Sequence, residues 1–461
     1  MSAMNPNLTY YVDRLQGFST NIFRLESNSR VTATPNQIVT FSVPSNSIVN
    51  LRSFKVFCNV QLTGDNARFG NINDFVERVE VSVGGIVLSQ GSNMTHVLQQ
   101  MKKVLGVGYC DSVMGHPEYV RATSYVNGAT FTDPNPETYA DSTDPRFCIE
   151  NLEGFLSTAE PKLLDTSLIP DLTIRLYMAG VEVLSNPAGV LLTDAAGTLA
   201  NSIGLDGTAD ATYTLSNIHA HIECIGLADS TYDNMLSSMM SAQSFLEIPY
   251  KAYSSFTDTH TGSSRFSIST ASLDKIWVGW RKDGYDVRGG LKRVKGHKIT
   301  GGFVSPTAGV ATDTDVGKPT YDLGGVLDTN KEKYRGKFFN FEQPVAGWGQ
   351  QIQLNGAYFP QYSAQSGDSY QITKNSLHGN EKMKDMSLDQ YLNNFCIQAY
   401  RLNMPDSEYS RLISGLDTRA VNLQGIVKTT GVIPANTNIS IFTEQTEVLR
   451  VGAGRSVEVI S

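Results

Sequence analysis

Phe54-Lys-Val-Phe-Cys-Asn-Val-Gln-Leu62 decides the fold class. Phe54, Val56, Cys58, Val60 and Leu62 alternate with Lys55, Phe57, Asn59 and Gln61, which puts the two sets on opposite faces of a strand. The spacing predicts a strand with one face buried. It returns at Val79, Val81 and Val83, at Leu172, Ile174, Leu176 and Met178, and at Ile218, Ala220, Ile222 and Cys224. Gly, Pro, Asn or Asp bounds each run, as in antiparallel sandwiches. Gly84-Gly85, between Val83 and Ile86, supplies the positive φ angles of a tight hairpin.

A second series follows a predicted helix over Thr231 to Ala242, in which Met235, Leu236 and Met239 share a stripe and Asp229 or Ser230 caps. Alternation resumes at Ile276, Val278 and Trp280, at Ile352 and Leu354, at Ile439 and Ile441, and at Val457 and Val459. The last two runs are read as a pair closed by Gly452-Ala-Gly454. Helices are few, Met94 to Val104 and Leu388 to Asn394 being the best, and no βαβ rhythm appears. A chain of 461 residues exceeds the roughly 250–300 at which a single core stops growing. The reading is therefore all-β with two sandwich domains: an N-terminal arm over 1–30, a first domain over 31–228 and a second over 229–461. Long turn-rich stretches run over Asp111–Asp144, Leu184–Thr212 and Asp283–Lys331, the last being a loop insertion in the second domain. No repeat links the halves at the level of sequence.

Charged residues are only 18% of the chain, below the ~25% of ordinary soluble domains, so much of the surface is uncharged or covered by partners. A net charge of −8 argues against extended contact with a phosphate backbone. Cys58, Cys110, Cys148, Cys224 and Cys396 are odd in number with no close pair, which suits buried thiols better than disulfides or zinc. Met1 to Asn28 lacks a basic region followed by an apolar core, and no 18-residue apolar run occurs, so the expectation is a cytosolically made chain without a secretion signal or membrane span.

The motifs of common enzymes fail. Gly317-Lys318 is followed by Pro319 and lacks the spaced glycine of a phosphate loop; Gly452-Ala-Gly454 lacks the third glycine and the helix of a dinucleotide site. Serine-hydrolase elbows and zinc-peptidase helices are absent from the sequence. His219 and His221, with Glu223, share one face of a strand at chelating spacing but have no further ligand, so a plain polar face is the preferred reading. Cys110 and His116 form a thiol–imidazole pair only on paper, having no orienting partner. No catalytic residue, cofactor-binding residue or metal ligand is assigned. Arg281, Lys282, Arg288, Lys292, Arg293, Lys295 and Lys298 make one basic segment, read as a solvated loop or subunit contact, with a genome or anionic membrane as its other candidate partners.

Several segments, in order, resemble those of the double jelly-roll major capsid proteins of the adenovirus and tectivirus lineage, above all of polinton-like viruses and virophages. They are Val43-Pro-Ser-Asn-Ser-Ile-Val-Asn-Leu-Arg-Ser53, Tyr232-Asp-Asn-Met-Leu236, Leu246-Glu-Ile-Pro-Tyr-Lys251 and Ser269-Thr-Ala-Ser-Leu-Asp274. Ile352-Gln-Leu-Asn-Gly-Ala-Tyr-Phe-Pro-Gln361, Ser414-Gly-Leu-Asp-Thr-Arg419 and the stretch from Thr443 to Val459 continue the series. The resemblance implies two tandem jelly-roll β-sandwiches and a homotrimeric, pseudo-hexameric capsomer. Such capsomers tile the icosahedral capsid of a double-stranded DNA virus, in contact with neighbouring capsomers and minor capsid or penton proteins. It places the protein in the virion and makes it structural rather than enzymatic. Aromatic Tyr10, Tyr11, Phe18 and Phe23 of the arm are then interface clamps. Two rivals stay open: a minor capsid, spike or lectin-like binding protein, and a sandwich glycosidase with paired carboxylates.

Overall fold

The structure is a computed structural model describing residues 18–63, 69, 71–88, 93–106, 147–184, 202–203, 212–227, 238, 245–282, 285–286, 291–293, 320–321, 333–377, 382–384, 386–388, 391–392, 395–403, 415–419 and 423–460. The first half supplies β1 (Phe18–Glu26), β2 (Ile38–Ser42), β3 (Ile48–Thr63), β4 (Val76–Val83), β5 (Ile86–Val87) and helix α1 (Thr95–Leu105). It continues with β6 (Phe147–Ile149), a short helix α2 (Phe155–Thr158), β7 (Leu163–Asp165), β8 (Leu172–Met178), β9 (Ser202–Ile203) and β10 (Thr212–Leu227). One sheet has the order β1-β10-β3-β6, with β7 also on β3; the other is β2-β8-β4-β5.

The second half runs through β11 (Phe245–Thr259), β12 (Ser263–Ile268), β13 (Leu273–Arg281), β14 (Leu291–Arg293), β15 (Thr320–Tyr321) and β16 (Lys333–Gly336). Then come β17 (Gly349–Leu354), β18 (Ala357–Gln365), helix α3 (Ser366–Ser376), β19 (Ile397–Arg401), β20 (Leu423–Thr430), β21 (Asn438–Gly452) and β22 (Ser456–Ile460). Its sheets are β11-β21-β13-β19, with β22 on β21, and β12-β20-β17-β18.

The two halves repeat one topology. In each, the first main strand pairs with the last, the last with the third, and the third with the sixth; the facing sheet takes the second, seventh, fourth and fifth. That order is the jelly roll. Helices α1 and α3 both follow the fifth strand of their half, so the repeat invisible in the residues is plain in the connections.

Local sequence explains most elements. In β8 strict alternation buries Leu172, Ile174, Leu176 and Met178, and β12 buries every second residue in the same way. Gly84 and Gly85 take φ of 57° and 86° and join β4 to β5, with Val83 opposite Ile86. Asn355-Gly356 makes the equivalent turn between β17 and β18. Core aromatics interlock the sheets: Phe75 stacks on Tyr213 at 4.2 Å and Trp280 tilts against Trp348 at 4.9 Å.

Some expectations need correction. Phe18–Glu26, assigned to the arm, form the edge strand β1, although only Leu25 of its described side chains is buried. β22 pairs with Val448–Gly452, whereas Ile439 and Ile441 lie between β11 and β13, because β21 is long enough to serve both. α3 was not anticipated: it turns Ser369, Thr373 and Ser376 inward, so no apolar stripe announces it. The helix expected over 231–242 lies outside the described residues except for Ser238.

On β20, Gly425 faces Phe266 of β12, and a Cβ there would overlap the Phe266 ring. Gly425→Ala is therefore expected to cost about 1–3 kcal/mol by overpacking, read as a lower denaturant midpoint.

Candidate functional sites: the junction, the charged clusters and an open edge

α1 belongs to the first half yet lies on the second. A Cβ at Gly279 of β13 would run into Met101 of α1 and into Phe341, so the glycine is what lets the helix approach. Lys102, on the same helix, is buried; its Nζ donates to Tyr253 OH at 2.8 Å and Glu153 Oε2 at 3.1 Å, and lies 3.9 Å from Glu444 Oε2. Lys275 Nζ approaches Glu444 from the other side at 3.6 Å. Burial alone would raise the Glu444 pKa, but Lys275, Lys102 and Lys251 outweigh it and hold the carboxylate well below its usual range. Next to this cluster Lys251 Nζ donates to Asp274 Oδ2 at 2.6 Å and Thr446 Oγ1 at 2.7 Å.

The outer edge of β11 is covered by the first half as well. Lys251 N donates to Thr158 Oγ1 at 2.9 Å, Glu160 N donates to Pro249 O at 3.0 Å, and Phe155 meets Tyr250 edge-on at 5.2 Å. Glu160 also pairs with Arg52, and Tyr250 OH donates to Glu447 Oε2 at 2.6 Å. Phe155, Thr158 and Glu160 carry no signal in the sequence, since the strand they cover lies about ninety residues further along the chain.

The first residue of the basic segment turns away from the surface. Arg281 is buried at the end of β13, its guanidinium 3.9 Å from the Tyr285 ring centre and 5.1 Å from that of Phe338, donating to Ser440 Oγ at 2.8 Å. Burial lowers its pKa to about 10 against the pull of Tyr285 and Asp286. It is a core residue, which corrects its reading as part of a solvated loop. Lys282 pairs with Glu342 at 3.4 Å. Lys292 and Arg293 lie on β14, which pairs with both β16 and β9, so pieces of two long loops meet. Arg288, Lys295 and Lys298 lie outside the described residues.

His219 and His221 are on β10, their rings 5.3 Å apart, with Phe57 of β3 stacked on His219 at 5.7 Å and tilted against His221 at 4.5 Å. Glu223 instead accepts from Asn50 Nδ2 at 2.7 Å. Among the described residues no group of three or more His, Cys, Asp or Glu is placed to hold a metal ion. Cys58, Cys148, Cys224 and Cys396 are buried free thiols, and burial pushes Cys148 up to about 12, far from a reactive thiolate. Cys110 and His116 lie outside the described residues.

Two buried histidines titrate with folding. His260 shares hydrogen bonds with Ser264 Oγ and Thr429 Oγ1, each at 2.8 Å, and burial lowers it to about 4. His96 stacks on Phe338, and burial with the nearby Arg281 lowers it to about 3. Both folded pKa values lie below the unfolded ~6.5, so the unfolded chain binds the extra protons. The contribution of these two histidines to stability is full above about pH 6.5 and is lost as pH drops toward 4, His260 supplying at most about 3 kcal/mol of it. Urea midpoints measured across that window should fall, and His260→Gln should flatten the slope.

A third feature is the free side of β1. Among the described residues its only strand partner is β10, and Ile22 and Phe23, which point to opposite faces, are 66% and 42% exposed.

Two jelly rolls in series, joined through α1 and the β11 edge, place the chain in the double jelly-roll class. Solved structures of viral capsid proteins share this fold. The PBCV-1 Vp54 crystal structure, as fitted into a reconstruction of the virophage Sputnik, aligns with a TM-score of 0.54 at 12% identity, covering 97% of this chain and 98% of that one. The major capsid protein of Faustovirus gives 0.52 at 11% identity over 95% and 90%, and the quasi-atomic PBCV-1 capsid gives 0.50 at 12% over 97% and 98%. At these identities the likeness establishes the fold. No family model and no curated protein matches the sequence.

Proposed function

We propose that the chain is a major capsid protein that builds a viral shell and performs no catalysis. The observation that carries this reading is the duplication itself: two sandwiches of identical strand order, locked into one block by a buried ion cluster. Three such blocks around a threefold axis present six similar corners, which is what paving a hexagonal lattice with one gene product requires. The low share of charged residues fits side walls that are covered in the assembly. The known structures that share the fold are capsid proteins, which supports the same reading.

On this reading the protein resides in the virion, and its partners are its own copies, neighbouring capsomers and minor capsid or penton proteins. A contact with genome or membrane through the basic segment loses Arg281 to the core and is left to the residues after Lys282. Sedimentation equilibrium of the purified chain tests the proposal. A species of three times 50.4 kDa is expected, whereas a monomer at every concentration contradicts it.

A further inference from the structure

The two halves are topologically equivalent, but their first strands are treated differently. β11, the first strand of the second sandwich, has its edge capped in cis at Pro249–Lys251 by Thr158 and Glu160, and Phe155 packs beside it on Tyr250. β1, the first strand of the first sandwich, has no such cover among the described residues; its backbone is laddered on one side only. Ser19 to Arg24 are exposed on both faces, with Ile22 and Phe23 adding apolar surface. A bare strand edge flanked by apolar side chains is a template for another chain.

We propose that β1 is the docking edge for the second sandwich of a neighbouring copy, which covers it as the first sandwich covers β11 within the chain. The inference rests on the capsid reading above. The covering segment in the first half lies between its sixth and seventh strands, just ahead of Leu164, which pairs with Val49 at the start of β3. The second half repeats this arrangement: Leu416 and Leu273, at the start of β13, exchange backbone hydrogen bonds of 2.9 Å. The end of the second sandwich that carries Gly415–Arg419 is therefore the counterpart of the covering surface, and Leu416 is itself 37% exposed there. Because the contact joins unlike surfaces, it propagates from copy to copy, and in the trimer proposed above it closes a ring in which cis and trans junctions alternate.

The test combines hydrogen exchange with charge insertion in the full chain. Amides of Ser19–Glu26 should be protected in the trimer and lose that protection on dilution to monomer. Ile22→Lys with Phe23→Lys should weaken trimerisation by at least about tenfold, as for an apolar anchor, while Val432→Lys at an exposed site on the second sandwich should not. A trimer that survives the double substitution with unprotected β1 amides overturns the docking edge but leaves the capsid reading intact. Equal protection in monomer and trimer also overturns it, showing that the chain's own residues cover β1. Failure of the unaltered chain to trimerise overturns the capsid reading itself.

Discussion

Lys102→Met is expected to destabilise the folded chain by about 3–5 kcal/mol, read from chemical denaturation at neutral pH. The side chains of Lys102, Glu153 and Glu444 are almost fully shielded, so removing the cation strands the Glu153 carboxylate, and weakens the hold on Glu444, in a place where water cannot replace it. Lys275 still faces Glu444 at 3.6 Å, but no other cation replaces the 3.1 Å contact of Lys102 with Glu153 among the described residues. The cluster also spans the halves: Lys102 and Glu153 come from the first and Glu444 from the second. Loss of the ammonium should therefore loosen the junction, and limited proteolysis of the variant should release sandwich-sized fragments. A loss below about 1 kcal/mol would mean the site is wetter than its burial indicates.

Trp280→Ala should cost a comparable amount, about 3–5 kcal/mol, through a different mechanism. Trp280 is fully buried on β13 and tilts against Trp348 at 4.9 Å, so truncation opens a large cavity between strands whose neighbours are held on both sides. Val432→Ala, at a position 88% exposed, is the matching control and should stay within about 0.5 kcal/mol. Thermal or urea midpoints of the two variants, compared with the parent, check the contrast.

The sequence was most legible where a strand buries one face. β8 shows its alternation without a break, and the Gly84-Gly85 turn is read directly from residue type. β13 and β21 were harder because they are buried almost throughout, and what covers their outer face is α1, a helix from the other half. A charge count cannot foresee that Arg281 turns inward onto Tyr285 and Phe338, because the aromatic rings that receive it come from segments beyond the strand. Nor can spacing reveal the junction: Lys102, Glu153, Lys275 and Glu444 are each ordinary charged residues until the strands bring them together. The candidate docking edge is half visible in the sequence: Phe18 and Phe23 mark an aromatic segment suited to an interface, but β1 lacks the buried alternation that announces a strand.

Imaging the purified assembly in projection tests the shell-building account most directly. Averages viewed down the threefold axis should show a six-cornered block, each chain filling two neighbouring corners with its paired sandwiches. A single elongated chain, or a trimer whose outline has only three lobes because the two sandwiches are stacked along the axis, would contradict it.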